Sequence, residues 1–310
     1  YNTKPILGKP GERFSPTGNA DQQGWSGKQA GWNTARFSLD EVLAEMNRLG
    51  ITQKQVRFRF ALGSNADNTP GSTLDGFAFD DFSLANRNRQ VLVEYFINES
   101  LSEAVKKDEE AASFATTNPE TVSLHYHTDF PGPDSFNAAN EKDPSGRAFF
   151  YGIRAVPRLI VDGEGRDSLP DYEEAKQLYS KRTLIPAPFA LTIQNPTLIG
   201  ATSSSNTLQL TAQLSALLAF DRAVVVQVAL IDTLTISRGN GSNSNVHYYH
   251  HVVRQMLPDA AGTFVAAKNW QPGDSLSIVL DWNFASYPVP LDLSRLRIVA
   301  FVQDYQTKEV

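Results

Sequence analysis

The run Gln90-Val91-Leu92-Val93-Glu94-Tyr95-Phe96 is short, apolar and rich in β-branched and aromatic residues, which marks it as a strand. Asn98-Glu99-Ser100 follows as a turn, and a helical stretch then runs from Leu101 to about Phe114. A second strand pattern, Thr121-Val122-Ser123-Leu124-His125-Tyr126, comes after Asn118-Pro119. A third, Pro157-Arg158-Leu159-Ile160-Val161-Asp162, closes on Gly163. Strands alternating with helix predict a βαβ crossover and a largely parallel sheet.

On the C-terminal side, residues 171–182 read as a helix with acids in the first turn and bases in the last, as the helix dipole favours. Pro186 and Pro188 break the chain there and predict a domain boundary. From Phe189 onward apolar and polar residues alternate, as in Leu208-Gln209-Leu210-Thr211-Ala212-Gln213-Leu214. Turn clusters such as Ser203-Ser204-Ser205-Asn206 separate the runs, and about seven short strands predict an immunoglobulin-like antiparallel sandwich.

On the N-terminal side, residues 1–40 are rich in Gly and Pro and read as loops and short strands. Ser38 stands three residues before Glu41, the spacing of a capping box, ahead of a helix that Gly50 ends. Val56-Arg57-Phe58-Arg59-Phe60-Ala61-Leu62 alternates with period two, and Gly76 to Leu84 makes its expected partner strand. This pair, with Gly24-Trp25 and Gly31-Trp32 upstream, resembles the C-terminal half of a MAM-like or peptidase-associated jelly roll. Such a fold needs about eight strands, so the domain is expected to be partial.

The order Val91 to Phe96, then His125-Tyr126-His127, then Arg147 to Gly163 resembles the thioredoxin-like domain of the Omp28-type surface proteins of Bacteroidetes. The stretch His247 to Leu257, followed by Ala300-Phe301-Val302-Gln303-Asp304, is similar to the C-terminal domain of that family. The resemblance implies a CxxC at the helix start, and its two positions fall at Leu101 and Ala104. It also implies a cis peptide at Pro157. The expected fold class is therefore a multidomain, β-rich α+β chain. It comprises a partial jelly-roll β-sandwich over 1–89, a thioredoxin-like α/β domain over 90–185 and an immunoglobulin-like antiparallel β-sandwich over 186–310.

The chain has no cysteine. Thiol–disulfide exchange needs an attacking thiolate and a second sulfur to resolve the mixed disulfide, and no other side chain supplies either. The 310 residues are 41% hydrophobic and 20% charged, enough apolar material for an ordinary core. A formal net charge of −6 argues against nucleic-acid binding, which rests on cations neutralising phosphate. There is no apolar run long enough for a transmembrane helix and no signal-peptide pattern after Tyr1. With the family resemblance, the expectation is an exported chain at the extracellular face or outer-membrane surface.

The candidate sites are sparse. Asp75, Asp80 and Asp81, near Asn65, Asp67 and Asn68, offer hard oxygens for Ca²⁺, although solvated loop acids are the commoner outcome and no other cofactor is expected. Trp25 and Trp32 suit a sugar-stacking platform, although buried sandwich aromatics are commoner. His125 and His127 share a strand face and reach a zinc set only with a residue such as Asp129; hydrogen-bonded histidines are the alternative. Among His247, His250 and His251, a strand puts His247 and His251 on one face and His250 on the other. Ser168, Thr233 and Ser275 lie in Asp-Ser/Thr-apolar tripeptides that resemble the acceptor of Bacteroidetes O-glycosylation. No GxSxG, HExxH, Ser-His-Asp motif or phosphate loop occurs. These features predict a non-enzymatic, type IX-secreted interaction protein with protein partners and glycans at the cell surface. The alternatives are an accessory region of a secreted peptidase and a carbohydrate-binding module. In an insulin-reduction assay the protein is expected to give no turnover above the buffer rate; measurable turnover would contradict the thiol argument.

Overall fold

The structure, a computed structural model, describes residues 31–32, 34–58, 60, 78–118, 120–167, 173–202, 205–238, 246–285, 287–288 and 291–310. The chain forms two compact units, Tyr1–Arg87 and Asn88–Val310.

In the first unit the regular element among the described residues is helix α1 (Asp40–Arg48). Its N-cap is Leu39, and Ser38 instead accepts a hydrogen bond from the Asp40 N–H at 3.0 Å, so the expected Ser38–Glu41 capping box does not form. Gly50, at φ 67°, ends the helix as expected. The jelly-roll strands expected around Val56–Leu62 and Gly76–Leu84 form no backbone ladder among the described residues. What joins them is aromatic: Phe60 stacks on Phe79 at 4.1 Å and Phe58 meets Phe82 at 5.0 Å. The period-two pattern placed those rings together without pairing the backbones.

The second unit starts with β1 (Val91–Ile97), every residue of which is buried. Helix α2 (Ala104–Thr117) carries the chain to β2 (Thr121–His127), which runs parallel to β1 from Val91↔Thr121 to Ile97↔His127. Short helices α3 (Ser135–Ala139) and α4 (Lys142–Tyr151) precede β3 (Arg158–Val161) and β4 (Glu164–Asp167), and α5 (Glu173–Arg182) follows. Strand β3 is antiparallel to β1, so the expectation of a largely parallel sheet gives way to a mixed one.

The remaining strands are β5 (Phe189–Thr202), β6 (Ser205–Ala216), β7 (Val224–Arg238), β8 (Val246–Leu257), β9 (Thr263–Val265), β10 (Ser275–Asn283) and β11 (Leu296–Asp304). A three-stranded sheet, β10-β6-β5, faces strands β7 and β11 of an eight-stranded sheet ordered β11-β7-β8-β2-β1-β3-β4, with β9 on β7. Leu208, Leu210, Leu214, Val226, Val228, Trp270 and Trp282 fill the core between them. The sequence places a boundary at Pro186–Pro188, yet β8 pairs in parallel with β2 at His125↔Val252. The larger sheet of the sandwich therefore continues the thioredoxin-like sheet.

Alternation in β1 builds two further cores. Val91, Val93, Tyr95 and Ile97 pack with Ala104, Ala111 and Phe114 on one face. Leu92 and Phe96 pack with Tyr126, Ala148 and Tyr151 on the other. At the β3–β4 turn, Gly163 adopts φ 81°, and a Cβ there would lie 1.8 Å from the Lys308 carbonyl oxygen. Gly152 has a similar φ of 67° and open space around it. Gly163→Ala is therefore expected to lose at least about 2 kcal/mol more stability than Gly152→Ala in urea titrations, because only Gly163 adds a backbone clash to the shared left-handed strain. Equal losses would show that the C-terminal segment does not press on this turn.

Candidate functional site

Leu101 and Ala104, the positions at which the family resemblance puts a thiol pair, lie where β1 runs out. Asn98 is fully buried, and its side-chain amide donates to the carbonyls of Thr128 at 2.7 Å and Gly132 at 2.8 Å. Its carbonyl oxygen accepts from the Ser100 N–H at 2.7 Å, which fixes the turn. The Leu101 N–H donates to Asn98 O at 3.1 Å and the Ala104 N–H to Leu101 O at 3.2 Å. Leu101 packs against the core, and Ala104 is the first residue of α2. The Phe96↔Arg158 register brings Pro157, preceded by a cis peptide, to the same end of the sheet. Leu101 and Ala104 present hydrocarbon only.

Below this turn the histidines form a buried polar cluster. Asp108 projects from α2, fully buried; its Oδ1 lies 2.7 Å from His125 Nδ1. Its Oδ2 lies 2.7 Å from His250 Nδ1 and 2.8 Å from the His250 N–H. The carboxylate makes Nδ1 of His125 the donor, and Nε2 then faces Ser123 Oγ at 3.1 Å. Burial works to raise the Asp108 carboxyl, but the charge and hydrogen bonds of His125 and His250 outweigh it and hold it well below the usual range. The hydrogen bond to Asp108 raises His250.

His251 adopts φ 50°, and its ring stands edge-on to those of His125 at 5.5 Å and His250 at 6.4 Å. The expectation that His250 faces away from His251 is thus corrected: the left-handed residue breaks the strand alternation and both rings reach the cluster. His251 Nδ1 is buried with no hydrogen-bond partner among the described residues. Burial, followed by the neighbouring His125 and His250, lowers this imidazole to about 4.

His127 pairs with Asp134 at 2.8 Å and packs edge-on against Phe136 and Tyr249. Asp134 also caps α3, accepting from the Phe136 and Asn137 N–H groups. His125 and His127 are thus each bonded to a carboxylate, Asp108 and Asp134, while Asp129 is exposed on the following loop. Among the described residues no three His, Asp or Glu side chains are arranged to hold a metal ion.

Ser123, His125 and Asp108 have the connectivity of an acyl-transfer triad, which the sequence conceals because the three converge only in the fold. Ser123 is 6% exposed, and Asp108 is shared with β8. The arrangement acts as a staple between α2, β2 and β8. Its sequence signal is Asp108 itself, a charge four residues from Ala104 and Ala112 on the buried stripe of α2.

The other candidates are scattered. Asp80 and Asp81 are exposed, with the Asp81 N–H donating to Asp80 Oδ1 at 2.8 Å. Asn65, Asp67, Asn68, Asp75, Trp25 and Ser168 lie outside the described residues. Trp32 is 75% exposed. His247 is half-buried near the start of β8. Thr233 lies within β7 and donates to Arg295 O at 3.2 Å, whereas Ser275 is exposed at the start of β10.

No family model and no curated protein matches the chain. Among solved structures, HBP35 of Porphyromonas gingivalis is similar at 15% identity and a TM-score of 0.53, over 73% of each chain. The likeness is one of fold and is not specific to the Omp28-type family.

Asp108→Ala leaves both Nδ1 donors and the His250 N–H without their acceptor and is expected to cost about 3–5 kcal/mol. The lowered His251 value sets a pH dependence. Unfolded chains take up this proton near 6.5 and the folded protein only near 4, so this contribution is complete above 6.5 and is lost as pH falls through that window. The raised His250 value acts oppositely, adding stability below 6.5 that disappears as pH rises through its folded value. Urea titrations across this window are expected to show a loss on the order of 2 kcal/mol that His251→Gln abolishes; an unchanged slope in the variant would assign the effect elsewhere.

Proposed function

We propose that this protein is a non-enzymatic interaction protein of the Omp28-like kind, exported by a type IX secretion system and working at the cell surface within a larger assembly. The observation that carries the reading is the replacement of both thiol positions by hydrocarbon, Leu101 and Ala104, in a chain without cysteine. Thiolate chemistry has no substitute among the other side chains. What the fold then offers a partner is rigid surface: the loops of the sandwich and the edges of its sheets. The fold likeness to HBP35 supports a surface setting, and the resemblance in sequence supports the export route.

A second reading rests on Trp32, whose 75% exposure suits stacking on a sugar ring. On that reading the first unit is a carbohydrate-binding module. The two readings separate on intact cells that make the protein. External protease is expected to remove the chain, and cross-linking to give a species joining it to another surface protein. A chain protected from protease, or a purified protein that turns over peptides or glycans, would overturn the interaction reading. Glycan-array binding abolished by Trp32→Ala would favour the second.

A further inference from the structure

We propose that β10 is a docking edge for a second copy of this chain, paired antiparallel with its own counterpart about a two-fold axis at Val279. Strand β10 pairs with β6 over its whole length, from Ser275↔Ser215 to Asn283↔Thr207, with no register shift. Among the described residues no backbone hydrogen bond joins its opposite side to another element. Such a row of open N–H and C=O groups recognises another extended backbone.

The other sheet edges are shorter, irregular or partly covered. Strand β4 has four residues. Strand β5 carries Asn195 at φ 49°, Pro196 and two register shifts. The end of β11 is covered by the chain's last residues: the Asp304 N–H donates to Glu309 O at 2.7 Å, and the Lys308 N–H to Asp304 O at 3.0 Å. Strand β10 carries no Pro, Lys, Arg or bulge.

Self-complementarity identifies the occupant. With Val279 on the axis, Ser275 meets the partner's Asn283, Ser277 meets the partner's Asp281, and Val279 meets the partner's Val279 on the outer face. On the inner face Leu276 meets the partner's Trp282 and Ile278 the partner's Leu280. Every polar residue finds a hydrogen-bonding counterpart, every apolar residue an apolar one, and Asp281 never faces itself. A slip of two residues in either direction sets Val279 against Ser277 or Asp281. Val279 is 65% exposed in the single chain, and this pairing covers it. The result is an isologous dimer in which two three-stranded sheets become one of six. The inference stands apart from the surface-protein reading, since the pairing requires no particular location.

Sedimentation of the full chain over a concentration series tests it, with the expected result a reversible dimer. Val279→Lys sets two charges on the axis and is expected to weaken the dimer at least about tenfold. Ser277→Lys, opposite the partner's Asp281, is expected to tighten the dimer and Ser277→Asp to weaken it, each by roughly two- to tenfold. Both side chains are exposed, so neither position tests folding instead of pairing. A chain that stays monomeric to about 1 mM would overturn the proposal. So would a dimer indifferent to Val279→Lys, or Ser277 variants that shift the affinity in the same direction.

Discussion

The Asp108 carboxylate is the constraint on which the joint of the second unit depends. Strands β2 and β8 share one register pair, His125↔Val252, too short a ladder to fix how two sheets meet. Asp108 reaches both strands at that point, through the side chain of His125 and through the side chain and backbone of His250. Burying a carboxylate costs several kcal/mol, and charge-assisted hydrogen bonds of about 1.5–3 kcal/mol each are what offset it. The arrangement is favourable only when both strands are in place. An electrostatic requirement therefore specifies the docking of one fold onto the other.

The same device recurs along the seam. Arg147 Nε and Nη2 donate to Glu94 Oε1 at 3.0 and 2.6 Å, and Nη1 donates to Gln303 Oε1 at 3.2 Å, linking α4 and β1 to β11. Burial, together with the Glu94 charge, raises Tyr151 and keeps its hydroxyl protonated, so it donates to Glu94 Oε2 at 2.5 Å. Arg182 spans Asp162 at 3.1 Å and Glu309 at 2.8 Å. Asp143 accepts the Met256 N–H at 2.7 Å. Between the two sheets, by contrast, the core is apolar. Apolar packing tolerates sliding, whereas a buried network half-satisfied is worse than none, so ionic groups along the seam select one arrangement.

This division explains what could be read from the sequence. The period-two runs after Phe189 and the Val91–Ile97 strand set local structure, and local structure is what residue patterns encode. The β-rich α+β class follows from them, and so does the apolar face of each strand. The continuation of one sheet through β2 and β8 was not legible, because a ladder between residues 125 and 252 leaves no periodic trace. His251 misled for a related reason: its left-handed backbone, rare for a non-glycine residue, reverses the face expected from alternation. The Ser38–Glu41 spacing misled too, because Arg87 and the Asp40 N–H take the Ser38 hydroxyl.

The surroundings of Leu101 and Ala104, where the family resemblance puts a thiol pair, are acidic. A reactive cysteine needs a thiolate stabilised by positive charge or a helix N-terminus, within reach of solvent. Here the turn before α2 is flanked by acids instead. The Glu99 N–H donates to Asp134 at 2.8 Å, and Glu99 in turn accepts the Ser135 N–H at 2.6 Å. Glu103 stands immediately before the helix with φ 63°. Burial works to raise the Asp134 carboxyl, but His127 and the backbone N–H groups that bond it hold it below the usual range, and its negative charge opposes a thiolate. Leu101 and Ala104 add packing to the core that α2 shares with β1 and β8. Hydrocarbon at these positions strengthens the packing of the helix that carries Asp108.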